Sequence, residues 1–109
     1  MHNVLRSPES AERTAIKVKE GDVILVGTDG VFDNLPDSWL VPQLSTLHSV
    51  FDDPAAVQKV ADLIAAHARK LAFDPAYLSP FAKNARSNGI DALGGKPDDI
   101  TILLATVCF

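Results

Sequence analysis

Acidic residues stand at the two places in this chain where a long apolar run stops or starts. Asp22-Val23-Ile24-Leu25-Val26-Gly27-Thr28 runs straight into Asp29-Gly30-Val31-Phe32-Asp33, and Ile100-Thr101-Ile102-Leu103-Leu104-Ala105-Thr106-Val107 begins straight after Asp98-Asp99. Carboxylates are hard oxygen donors of the kind that hold magnesium, manganese or calcium ions. Two of them held side by side without a cation repel and raise each other's pKa, so a divalent ion is an economical reason for clustering them. Gly30 lets the backbone approach a metal-bound water or take a positive φ, and Asp33, four residues on, reaches the same cluster or a neighbouring one. Asp-Gly is also a common turn, and Asp-Asp before a strand also caps a loop. From these residues alone both readings stand.

The elements that must position these acids follow from periodicity. The two apolar runs are too short for buried helices and rich in β-branched residues, which predicts central strands covered on both faces. If they are antiparallel neighbours, roughly 5 Å apart, the acidic close of one meets the acidic opening of the other. Ahead of them, Thr14-Ala15-Ile16-Lys17-Val18-Lys19 alternates as a half-buried strand ending at the turn pair Glu20-Gly21. Pro36-Asp37 opens a helix over Ser38 to about Ser49, with Pro42 dividing it or distorting its first turn. The clearest helix starts at the N-cap Asp53 with Pro54 at its first position, and Val57, Val60, Ala61, Ile64, Ala68, Leu71 and Ala72 make its apolar stripe. Asp74-Pro75 ends it. Phe81 to about Arg86 reads as a shorter helix closed by Asn88-Gly89, and Gly94-Gly95-Lys96-Pro97-Asp98-Asp99 as a tight loop. Residues 1–13 are read as a flexible N-terminal segment, polar and without period over residues 1–12, and 14–109 as one α/β unit with antiparallel strands packed against helices.

Composition narrows the function classes. Over 109 residues the chain carries 14 acidic and 10 basic side chains, a formal charge of -4, with no basic block. That excludes the electrostatic footprint of a nucleic-acid binder or an anionic-membrane surface. The lone cysteine, Cys108, permits neither an intramolecular disulfide nor a thiolate cluster. No run of about 18 apolar residues spans a bilayer, and His2 to Ser7 lacks the apolar core of a signal peptide. Gly94-Gly95-Lys96 lacks the rest of a phosphate-loop pattern, and Pro97 forbids the helix turn that would follow it. His48 and His67 are read as surface or satisfied core residues, Trp39 and Phe51 as anchors of the first helix, and Lys96 as a solvated loop lysine.

Residues 21–34, centred on Thr28-Asp29-Gly30-Val31-Phe32-Asp33-Asn34, resemble the segment of metal-dependent PP2C-type protein serine/threonine phosphatases in which a strand delivers Asp-Gly-x-x-Asp. Gly95-Lys96-Pro97-Asp98-Asp99-Ile100-Thr101 resembles that family's last metal-ligand motif. Asp33-Asn34-Leu35-Pro36-Asp37, Ala72-Phe73-Asp74-Pro75, Ser79-Pro80-Phe81-Ala82 and Asn88-Gly89 are similar to the subfamily related to the mitochondrial phosphatase of yeast. The resemblance implies the C-terminal part of an α-β-β-α sandwich and, by subfamily alone, the mitochondrial matrix. It implies that Asp29 binds a dinuclear magnesium or manganese centre, that Asp98 closes it, and that Asp33 matches the position of a third, weaker ion. It further implies hydrolysis of phosphoserine and phosphothreonine on proteins by in-line attack of activated water, with no covalent phosphoenzyme. The family's N-terminal half, with an Asp-Gly-x-Gly-Gly aspartate and a basic residue for substrate phosphate, has no counterpart in these residues. The chain is therefore expected to need that half as a partner and to have little activity by itself. The alternative is a non-catalytic, truncated phosphatase-like domain that binds a protein partner.

Overall fold

The computed structural model describes residues 3–6 and 17–109. Its elements are β1 (Asn3–Arg6), β2 (Val23–Gly27), α1 (Asp29–Phe32), α2 (Asp37–Ser45), α3 (Pro54–Ala72), α4 (Pro80–Ser87) and β3 (Ile102–Thr106). The strands form one sheet in the order β1-β2-β3. β2 pairs antiparallel with β3, from Val23 opposite Thr106 to Gly27 opposite Ile102, which is the arrangement that lets the two acidic ends meet. β1 pairs parallel with β2, Asn3 opposite Ile24.

At Asn3–Arg6 a strand stands where the sequence suggests a flexible segment; residues 1–2 and 7–13 of that segment fall outside the described residues. Four residues without a hydrophobic alternation carry no strand signal of their own, and it is the exposed ladder of β2 that orders them. The strand expected over Thr14 to Lys19 does not extend into Lys17–Lys19, which lie outside any strand; Thr14, Ala15 and Ile16 fall outside the described residues. The turn at Glu20-Gly21 is present, with Gly21 at φ 87°.

One side of the sheet carries the core. Val23 and Leu25 of β2 are fully buried with Val31, Leu35, Leu40, Leu44, Leu47, Ile64 and Ala68, so α2 and α3 close over this face. Each fully buried aliphatic side chain contributes roughly 1.5–3 kcal/mol of transfer free energy. The opposite face is not closed by any described helix. Ile24 and Val26 are half-buried, and their cross-strand neighbours on β3 are Ala105 and Leu103, with Leu103 66% exposed. The expectation that both strands are covered on both faces therefore fails on this side, because an unbroken apolar run marks faces suited to burial, not faces already buried.

The helices follow their signals closely. Asp53 caps α3 by accepting from the amides of Ala55 (3.0 Å) and Ala56 (3.4 Å), with Pro54 in the first turn. Ser79 caps α4 the same way through Ala82, and Asn88-Gly89 ends it with Gly89 at φ 82°. Pro42 lies inside α2 without dividing it, and the helix stops at Ser45, short of the Ser49 expected. Turns carry the chain on through His48, which is therefore not helical, to Phe51. Trp39 packs against the core and stacks on His67 of α3, ring centroids 4.4 Å apart. Among the described residues no helix is long and apolar enough to cross a membrane.

Candidate metal centre

The register of β2 and β3 decides where the acids go. Gly27 ends β2 opposite Ile102, the first residue of β3, so residues 28–29 and residues 98–101 flank the same end of the sheet. Thr28 joins them. Its amide donates to the Thr101 carbonyl (3.1 Å), its hydroxyl donates to the Asp99 carbonyl (2.9 Å), and the same oxygen accepts from the Thr101 amide (3.0 Å).

Asp29 then opens a single helical turn where the sequence suggests a simple Asp-Gly turn. Asp33 closes that turn by donating its amide to the Asp29 carbonyl (2.8 Å). Gly30 is buried inside it and does not have a positive φ. What requires glycine here is close approach: a Cβ would collide with the Asp99 carbonyl oxygen and sit 3.0 Å from Ile100 Cγ1. The Asp98-Asp99 loop is thus pressed onto the backbone of α1. Gly95 has the same role at the loop's other end, where a Cβ would strike the Leu71 carbonyl at the end of α3.

A second connection runs through Asn34, which has no exposed surface. Its amide nitrogen donates to the Gly30 carbonyl (2.9 Å) and the Lys96 carbonyl (2.9 Å), and its side-chain oxygen accepts from the Lys96 amide (2.8 Å). The Tyr77 hydroxyl donates to the Asn34 carbonyl (2.8 Å), and burial pushes its phenol above the ordinary value, so it remains a donor at neutral pH. Neither Thr28 nor Asn34 is singled out for this role by the sequence, because the bonds that tie them to residues 96–101 span more than sixty residues.

The three predicted acids end in different situations. Asp29 is exposed, and among the described residues its carboxylate has no hydrogen-bond or ion-pair partner. Asp98 is exposed and accepts from the amide of Asp99 (2.8 Å). It also borders a cleft of about 590 Å³ that runs along α3 past Arg69 and Phe73. Asp33 is half-buried and ion-paired to the Lys96 ammonium at 3.3 Å, so Lys96 is not simply solvated. Asp29 and Asp98 fit a hard divalent cation by donor type and by their common place at one sheet end. They fall short in number: among the described residues no group of three His, Cys, Asp or Glu side chains is placed to hold a metal. A cation held there would need further oxygens besides these two carboxylates.

No family model matches the chain. It is 46% identical over 101 residues to the human protein named Protein phosphatase PTC7 homolog, a match that covers 93% of this chain and 33% of the human one. The Danio rerio protein of the same name gives the same figures. Protein phosphatase PTC7 homolog fig of Drosophila virilis is 43% identical over 109 residues, covering 98% of this chain and 34% of its own. The chain thus spans about a third of the length of these curated relatives. Among solved structures, the X-ray structure of the photosystem II phosphatase PBCP superposes with a TM-score of 0.70 at 33% identity, over 85% of this chain and 38% of that one.

Proposed function

We propose, on the premise that this chain is the C-terminal part of a PP2C-type phosphatase, that Asp29 and Asp98 supply two carboxylates to a magnesium or manganese centre that hydrolyses phosphoserine and phosphothreonine in proteins. The observation that carries the reading is the antiparallel register of β2 and β3, with Gly27 opposite Ile102, which brings the ends of both acidic motifs to one end of the sheet. When bound, divalent ions at such a centre activate water and neutralise phosphate oxygens. The chain's own contribution is positional. Thr28 and the glycine contact at Gly30 keep the two acidic loops in register, and the solvent-exposed carboxylates are left free to bind. The cleft beside Asp98, with Arg69 among its lining residues, offers a place for the anionic substrate segment.

Two carboxylates do not complete a metal site that transfers phosphate, so the 109 residues by themselves have little turnover and the rest of the domain supplies the remaining ligands. The open sheet face around Ile24, Val26 and Leu103 is where that remainder packs. The test is phosphate release from a phosphoserine peptide by the protein as isolated from its source, with manganese and with chelator. Activity should need the metal and fall at least about 100-fold in Asp29→Asn, the order of a lost metal or metal-orienting group. Metal-independent activity, or an Asp29→Asn enzyme as fast as the parent, would overturn the reading.

A further inference from the structure

Lys96 is held more firmly than a loop lysine should be. Its backbone is gripped at both ends of the residue, the amide by the Asn34 side-chain oxygen (2.8 Å) and the carbonyl by the Asn34 side-chain nitrogen (2.9 Å). Asn34 is itself fully buried, so this grip cannot swing. From that fixed point the side chain passes over the Phe81 ring, with the ammonium 4.7 Å from the ring centroid, and reaches Asp33 Oδ2 at 3.3 Å. Phe81 is in turn tied to Asp33, since its amide donates to the Asp33 carbonyl (3.0 Å). The two side chains are 39% and 28% exposed, short of the full solvation that makes surface ion pairs negligible. A carboxylate on one side and an aromatic face on the other is an environment built for a monovalent cation.

From this geometry we infer that the Lys96 ammonium is the resident cation of Asp33 and keeps divalent ions off that carboxylate. The inference rests on the metal-centre reading for its functional meaning, because it sets which acids of the chain serve the metals. Asp29 and Asp98 do; Asp33 instead neutralises Lys96 and so fastens residues 95–98, the loop that carries Asp98, to the end of α1. A divalent ion entering here would have to displace an ammonium whose backbone is held by Asn34.

The experiment counts bound Mn²⁺ by the loss of the free-ion EPR signal, in the protein as isolated from its source. Asp33→Asn should bind as many Mn²⁺ ions as the parent, and Lys96→Met should bind one more, which the Asp33→Asn/Lys96→Met double variant loses again. Loss of an ion in Asp33→Asn, or no gained ion in Lys96→Met, overturns the inference; Lys96→Gln removes the same charge should the Met variant not fold. These outcomes are separable from the fate of the metal-centre reading. A parent protein that binds no Mn²⁺ at all, with an ion gained in Lys96→Met, sinks the centre at Asp29 and Asp98 and leaves the Lys96 inference standing. The converse pattern does the reverse.

Discussion

Asn34 spends every polar atom of its side chain inside the molecule. Gly30 lies in the last turn of α1, where a carbonyl has no intrahelical partner, and the Asn34 amide supplies one. The other side-chain bonds go to both backbone groups of Lys96. Asn34→Ala should lower stability by about 3 kcal/mol, since it removes three bonds and leaves buried acceptors unpaired. Asn34→Asp should do no better, because a carboxylate cannot donate to the Gly30 and Lys96 carbonyls. Urea denaturation monitored by the Trp39 fluorescence measures both, and an Asn34→Asp variant as stable as the parent would contradict the assigned bonds. Sequence reasoning singled out Asp29 and the Asp98-Asp99 pair as candidates because each sits at the edge of an apolar run, a signal local to the chain, and chose Asp98 within the pair by family resemblance. It passed over Asn34 and Thr28 because bonds spanning sixty or more residues leave no mark on local pattern, and it took Lys96 for a solvated residue for the same reason.

At the scale of elements, α4 is held to the loop that leads to Asp98. The Ser79 hydroxyl, fully buried, accepts from the Ala82 amide (3.0 Å) as the helix cap and donates to the Gly94 carbonyl (2.7 Å). Gly94 takes φ 101°, and its amide donates to the Tyr77 carbonyl (2.7 Å), so helix and loop share one junction. Ser79→Ala should cost about 2 kcal/mol, combining a lost cap with an orphaned buried carbonyl. Amide hydrogen exchange should quicken along both α4 and residues 94–96; exchange unchanged in the loop would show that the junction does not couple them. Both α3 and α4 were legible from their capping residues, prolines and apolar spacing, which act within one or two turns. β2 and β3 were legible from β-branched runs. β1 was not, because its strand character comes from pairing with β2. Conversely, the alternation at Lys17-Val18-Lys19 did not suffice to make a strand.

Among the described residues, the molecule is a three-stranded sheet closed on one side by helices and open on the other. The layered α/β class could be derived from sequence; the pairing of β2 with β3 was left open between antiparallel and parallel, and the coverage of each face could not be derived, since burial depends on what else packs there. The proposed centre sits at the end of this sheet and uses acids from both of its apolar strands, so its integrity is a property of the assembled fold. Direct titration of Mn²⁺ into the protein as isolated from its source, compared with Asp29→Asn and Asp98→Asn, tests that claim most closely. Each substitution should weaken Mn²⁺ binding at least about 10-fold, within the range seen when a metal site loses a ligand or its support. If both variants bind Mn²⁺ as the parent does, Asp29 and Asp98 do not form a metal centre and the account is wrong.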